Sequence, residues 1–217
     1  MFNIATMFFN RNLISILFIT ILVILLVMQL FVSQIDITIF VNGINNLWLD
    51  KLCLYGTLLG DGFFVIIACL ILFFYNPRMA IVVLISYLIS SGITQGLKHL
   101  VFSDLHRPLW HLEKLNPNIY HIVSGAEITY NQSFPSGHTT TAFAFYICLA
   151  LFVKNIRFKM LLTLTAFFIG FTRIYLLQHF LIDTCVGAII GFFTAQFVFN
   201  QIYKKDLLLP LFLKFKK

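Results

Sequence analysis

The sequence predicts an all-α, polytopic membrane bundle of six transmembrane helices, with an interfacial helix and one long outer loop. Three observations carry that expectation. Hydrophobic residues make up 60% of the chain and charged residues only 11%, with a mean hydropathy of +0.94, which leaves too little polar surface to coat a water-soluble fold. Apolar stretches long enough to cross roughly 30 Å of hydrocarbon recur along the chain. The one extended polar stretch, residues 102–133, falls between the third and fourth of them. The whole chain, residues 1–217, is expected to form a single domain.

Residues 12–32 are the first span, apolar apart from small hydroxyls, Asn12 and Gln29. No small-residue cleavage site follows Gln29, so this span is expected to stay attached. Residues 34–62 mix Asp36, Asn42, Asn46, Asp50 and Lys51 with apolar side chains and read as an interfacial helix, with Trp48 and Tyr55 at headgroup level. Residues 63–75 continue into a second span whose start can reach back towards Leu54, and Asn76, Pro77 and Arg78 turn the chain. The third span, residues 79–101, carries Ser90, Ser91, Gly92, Thr94, Gln95 and Gly96, small or polar residues suited to helix packing in lipid. After the polar loop come residues 139–153, closed by Lys154, Arg157 and Lys159, then residues 160–177 and 183–203, and a tail with five lysines. Cys53, Cys69, Cys148 and Cys185 have neither metal nor redox spacing and read as packing residues.

A net charge of +7 in a soluble protein would point to nucleic acid. Here it reports orientation and contact with anionic headgroups, and no nucleic-acid partner is expected. With six spans both termini share one face. Arg11, Arg78, Lys154, Arg157, Lys159 and the tail lysines put ten positive charges there, against Lys51, Lys98, Arg107, Lys114 and Arg173 opposite. The termini are therefore expected to be cytoplasmic, and Lys98, Arg107, His138, Arg173, His179 and Asp183 to collect at the outer face.

Two short patterns give that collection a chemistry. Phe134-Pro135-Ser136-Gly137-His138 precedes an apolar run, so Ser136 and Gly137 can offer backbone N–H groups to an anion at a helix N-terminus, beside a proton donor in His138. His179 and Asp183 are four apart and would share a helix face, the carboxylate holding one imidazole nitrogen. Arg173 lies off that face on a continuous helix, so a turn between the last two spans is expected to bring it back. Three cations, two histidines and a helix N-terminus gathered together call for an anion of high charge.

These residues resemble the type 2 phosphatidic acid phosphatase superfamily. Its pattern is a Lys followed by Arg-Pro, then Pro-Ser-Gly-His, then Ser-Arg with a His and an Asp beyond. Lys98, Arg107 and Pro108 match the first block, Pro135 to His138 the second, and Arg173, His179 and Asp183 the third. The blocks thus lie within residues 98–183. Lys98 stands farther from Arg107 than is usual in the family, and Thr172 stands where Ser is usual. The resemblance implies a membrane lipid phosphatase in which His179 attacks phosphorus, Asp183 orients it and His138 protonates the leaving oxygen. It further implies that Lys98, Arg107, Arg173 and the Ser136 and Gly137 amides hold the phosphoryl oxygens, with no cofactor and no metal.

Blander readings exist for each residue. His138 can be a capping histidine, Arg173 an interfacial anchor, Asp183 the N-cap of the last span and Asp61 a turn residue between Gly60 and Gly62. His106, His111, His121 and Glu113 match no standard metal cluster and read as solvated loop residues. An anion-binding transporter remains the alternative, but transport needs polar groups near the midplane, and these lie at one surface. The implied partners are the bilayer and a membrane lipid phosphate: undecaprenyl diphosphate, phosphatidylglycerol phosphate, phosphatidic acid or a lipid A phosphate. Residues 109–133, with Trp110, Tyr120 and Tyr130, are the expected selector, and the sequence assigns no oligomeric state.

Overall fold

The computed structural model describes residues 4–116 and 118–205, with side chains from Leu13 onward. The side chains of Arg11 and Asn12 lie outside the described residues, as do Lys214, Lys216 and Lys217 of the basic tail. The described residues are helical and carry no strand. In order they form α1 (Ile4–Met28), α2 (Gln34–Gly43), α3 (Leu47–Gly56), a 3₁₀ turn (Thr57–Gly60), α4 (Gly62–Tyr75), α5 (Pro77–Leu100), α6 (Pro108–Leu115), α7 (Gly137–Phe152), α8 (Ile156–Tyr175) and α9 (Leu181–Val198), which runs into a π-helical turn (Phe199–Tyr203).

Most of these helices start where the sequence supplies a polar cap. The side chains of Ser33, Asn46, Asp61, Asn76, Ser136 and Asn155 each accept a backbone N–H from the first turn of α2, α3, α4, α5, α7 and α8. Asn46 divides residues 34–62 into two short helices rather than one, and Trp48 and Tyr55 are exposed on the second. The polar stretch after α5 contains α6, which opens on Pro108, a residue pre-set for the first helical position.

Among the described residues, α5, α8 and the α9 segment to Tyr203 are long and apolar enough to cross a membrane, and α3–α4 can act as a fourth span bent by 59°. The apolar part of α1 and all of α7 are shorter. The protein is thus an all-helical integral membrane protein.

Helix α7 lies at the centre, packed by α5, α8 and α9. Its neighbours meet it through small residues. A Cβ at Gly191 would lie 2.4 Å from the Thr140 carbonyl oxygen, and one at Gly187 2.7 Å from that of Ser136, so only glycines let α9 approach this closely. On α5 the buried stripe Ser86, Ser90, Thr94, Lys98 advances four residues at a time. Ser86 donates to the Ala144 carbonyl at 3.2 Å and Thr94 to the Thr140 hydroxyl at 3.1 Å, which turns Lys98 towards the start of α7. Below that level the interior is apolar, with the Phe18 ring stacked on Phe192 at 3.9 Å and edge-on to Phe143 at 5.6 Å. At the far end of the bundle Arg78 donates to the Tyr203 carbonyl and lies over its ring.

Candidate active site

The end of α8 decides the geometry. Leu177 adopts φ +57°, a left-handed conformation that costs an ordinary side chain roughly 1–2 kcal/mol. Its N–H reaches the Ile174 carbonyl at 3.0 Å and that of Gln178 reaches Arg173 at 2.9 Å, the paired closure that ends many helices on a glycine. Here packing of Leu177 against Leu109 and Leu112 offsets the strain. The turn folds the chain back until the His179 N–H also donates to the Arg173 carbonyl, at 3.1 Å, so Arg173 and His179 are neighbours.

His179 therefore stands in a turn two residues before α9, and the shared helix face expected for His179 and Asp183 is not how they meet. Asp183 is the third residue of α9, and its Oδ2 accepts the Phe180 N–H at 2.9 Å. The same oxygen accepts the Ser133 hydroxyl at 2.5 Å and faces His179 Nδ1 at 3.5 Å. Phe180, not Asp183, occupies the N-cap position.

The cradle differs from expectation in a second respect. The Ser136 N–H donates to the Asp183 carbonyl at 3.1 Å and is not free for an anion. Its side chain caps α7 through Thr139, and its carbonyl receives the Thr140 N–H and hydroxyl. Ser136 thus locks α7 to α9, because Gly187 has brought the two backbones together. Gly137 borders open space: a Cβ there would meet nothing within 4 Å. The Phe134–Pro135 peptide is cis.

Around this pair the cations close in. Lys98 is 7% exposed, Arg173 6%, Asp183 3% and His179 2%, so the centre is buried. Arg173 donates from a terminal nitrogen to Thr57 at 2.8 Å. Its Nε, like His179 Nδ1, is buried with no hydrogen-bond partner among the described residues. Arg107 donates Nε to the Asn131 carbonyl at 2.9 Å and a terminal nitrogen to the Gln178 side-chain oxygen. Burial, then the charges of Arg173, Arg107 and Lys98, hold His179 well below its ordinary 6.5, which keeps the imidazole neutral near pH 7. Burial also lowers Arg107, opposed by Glu127 and Asp183.

The remaining polar loop residues are exposed or half-buried, as expected, and also make local contacts. His121 pairs with Asp50 at 2.9 Å, Glu113 accepts the Tyr130 hydroxyl at 3.0 Å, and His106 stacks on Trp110 at 4.0 Å. No group of three His, Cys, Asp or Glu among the described residues could hold a metal ion. The four cysteines are buried and free.

Sequence reasoning missed Ser133, Gln178 and Thr57. Gln178 accepts from Arg107 and from the Thr129 hydroxyl at 3.0 Å, and donates to the Glu127 carbonyl at 2.5 Å. The available signal was position: Ser133 adjoins the Phe134–His138 stretch and Gln178 adjoins His179. Thr57, distant in sequence, left none.

Buried guanidinium, ammonium and imidazole groups, gathered with carboxylates at the end of an apolar helical bundle, make a membrane site suited to an anion of high charge. The PAP2 superfamily pattern matches residues 79–207, more than half of the chain, and the chain belongs to that superfamily. Over 126 residues it is 29% identical to the bacitracin transport permease protein BcrC of Bacillus licheniformis; the match covers 57% of this chain and 56% of that protein, little more than half its length. The fold is shared with Aquifex aeolicus LpxE, at a TM-score of 0.67 and 24% identity over 78% of this chain and 96% of that one. It is shared too with the PAP2-type phosphatidylglycerolphosphate phosphatase of Bacillus subtilis, at 0.64 and 19% over 90% and 97%.

Proposed function

We propose that the protein hydrolyses a lipid phosphate monoester or diphosphate through a phosphohistidine on His179, without a metal, at the outer face of a bacterial inner membrane that it crosses six times with both termini cytoplasmic. The observation that carries this reading is a buried His179 facing Asp183 at 3.5 Å, with the charges of Arg173, Arg107 and Lys98 acting on its ring.

The His179 lone pair forms the N–P bond while the bond from phosphorus to the leaving oxygen breaks. That oxygen keeps the electron pair and takes a proton from His138. Asp183, fixed by Ser133 and Phe180, offsets the positive charge that grows on the imidazole. In the second step neutral His138 takes a proton from water, the hydroxide attacks phosphorus, and the N–P electron pair returns to His179. Lys98, Arg107, Arg173 and the Gly137 N–H neutralise the phosphoryl oxygens.

The substrate candidates are undecaprenyl diphosphate, phosphatidylglycerol phosphate, phosphatidic acid and lipid A phosphates. The named activities of the relatives extend here only as candidates, which include the phosphatidylglycerol phosphate of the Bacillus subtilis protein. A transport reading, echoed in the name of the Bacillus licheniformis relative, sits less well with candidate site residues gathered at one end of the bundle above an apolar interior. Phosphate release from that lipid panel by the purified protein in detergent, with EDTA present, tests the proposal. Release from wild type that survives chelation and falls by about a thousandfold or more in His179→Ala is the expected result. Release that stops on chelation, or that persists in the variant, overturns it.

Gln178 supplies a second expectation. Its amide holds Arg107 against the 127–131 segment, so Gln178→Leu removes a hydrogen bond to a charged group, a contribution of about 1.5–3 kcal/mol. KM for the preferred lipid should rise roughly tenfold with kcat within about threefold, as a loss of binding common to ground and transition states requires. A fall in kcat at unchanged KM would show that the amide acts on the reacting step instead.

A further inference from the structure

We propose that Asp61 is a positioning residue for His138, the carboxylate that turns this imidazole for proton donation and favours its protonated form. The inference rests on the phosphatase reading and concerns the fate of one proton. His138 occupies the first turn of α7, at the positive end of its dipole, and feels Arg173 of α8, Arg107 of the loop and Lys98 of α5, with His179 beside it. Burial opposes a proton on the ring first, and every one of these charges opposes it further. An acid stripped of its proton before the substrate arrives cannot serve the leaving group.

Asp61 is the carboxylate placed against that tendency. Its Oδ2 lies 3.7 Å from His138 Nε2, while Oδ1 accepts the Phe63 N–H at 2.7 Å and caps α4. The two oxygens have separate tasks. Asp183 is engaged elsewhere, with Ser133, Phe180 and His179, so each histidine faces a carboxylate of its own. Asp61 also feels Arg173, which adds a second tie to the phosphate cations. At 3.7 Å the Asp61–His138 contact is longer than a hydrogen bond; separations of this kind tighten when substrate binds and the ring takes its charge.

The backbone delivers Asp61 to this spot. A Cβ at Gly60 would lie 3.1 Å from the His138 carbonyl oxygen and 2.5 Å from Ile169, and one at Gly62 would lie 2.2 Å from the Tyr87 hydroxyl. Two glycines thus let the turn press onto α7, α8 and α5 with Asp61 between them. As the bond to phosphorus breaks, the leaving oxygen takes the proton from the ring nitrogen not turned to Asp61. The neutral imidazole keeps its N–H towards Asp61 and regains a proton from the hydrolytic water.

The test compares wild type and Asp61→Asn, full-length in detergent, on two esters across a pH series. One is the lipid phosphate cleaved fastest in the panel above, whose alkoxide needs a proton to leave; the other is p-nitrophenyl phosphate, whose phenolate does not. Asp61→Asn should lower kcat on the lipid about tenfold or more near pH 8 and move the basic limb of its pH profile down by roughly one unit, because the acid must be protonated and has lost the charge that favoured that form. Turnover of p-nitrophenyl phosphate should stay within about threefold. Asn can still accept the Phe63 N–H, so the melting temperature should hold. Asp61→Ala loses the cap as well, and should melt lower with the same kinetic split. An equal loss on both esters, or a basic limb that does not move, overturns the proposal. A wild type that cleaves neither ester overturns instead the phosphatase reading beneath it.

Discussion

Asp183→Asn is expected to lower phosphate release by about three orders of magnitude with KM changed only a fewfold. The side-chain oxygen that accepts Ser133 and Phe180 has an equivalent in the amide, and the Asp183 carbonyl still receives the Ser136 N–H. Geometry is retained, then, and charge is lost. On the proposed mechanism the charge matters because His179, held well below its ordinary 6.5 chiefly by burial, becomes cationic as it bonds to phosphorus, close to Lys98, Arg107 and Arg173. Without the Asp183 carboxylate the charge growing on His179 has no anionic partner at Nδ1, and in a water-excluded site the penalty falls on the barrier rather than on binding. Single-turnover release, with acid quench to trap the phosphohistidine, is the measurement. A variant within tenfold of wild type would mean that Asp183 serves only to hold the turn.

Gly191→Val is expected to be the most damaging change away from the site, destabilising the protein by about 3 kcal/mol or more. The first added carbon would sit 2.4 Å from the Thr140 carbonyl oxygen, 2.7 Å from Phe143 Cβ and 2.8 Å from the Ala144 nitrogen. Two of those three atoms are backbone and cannot rotate away. Helix α9 would have to move off α7, and the Ser136-to-Asp183 bond that ties the two would go with it. Gly92→Ala is the control, since a Cβ there meets nothing within 4 Å, and a small gain in helix propensity is all that follows. Thermal melting in detergent should separate the two variants widely; equal melting would show that α9 does not depend on this close approach.

The contrast between those glycines marks where sequence reading stops. Membrane residence and the helical class were legible because each is set by a short window. Ser136-Gly137 announces a helix by local hydrogen bonding and a long apolar run announces lipid by composition, whereas Asn76-Pro77, read as a turn, proves to be the cap and first residue of α5. The charged candidates were legible because buried charge is costly and seldom placed without a function. Partners were not. Gly191 and Gly92 look alike in the sequence, and only the packing of α9 on α7 separates them. Asn46, which splits residues 34–62 into two helices, was in plain view, but the cap it makes competes with an apolar pattern that runs past it.

What the sequence determined by itself is therefore the solvent, the class of fold and the charged residues available to a site, all properties of local composition and residue type. The tertiary structure decided how those residues meet. It spent the Ser136 N–H on Asp183, set His179 in a turn outside α9, and brought Ser133, Gln178, Thr57 and Asp61 to the site. Leu177 shows the reason most directly: its left-handed backbone runs against its own local preference and persists because Leu109 and Leu112, far away in sequence, pack against it. Contacts between distant segments outweigh a local cost of a kilocalorie or two, and no window of neighbouring residues records them.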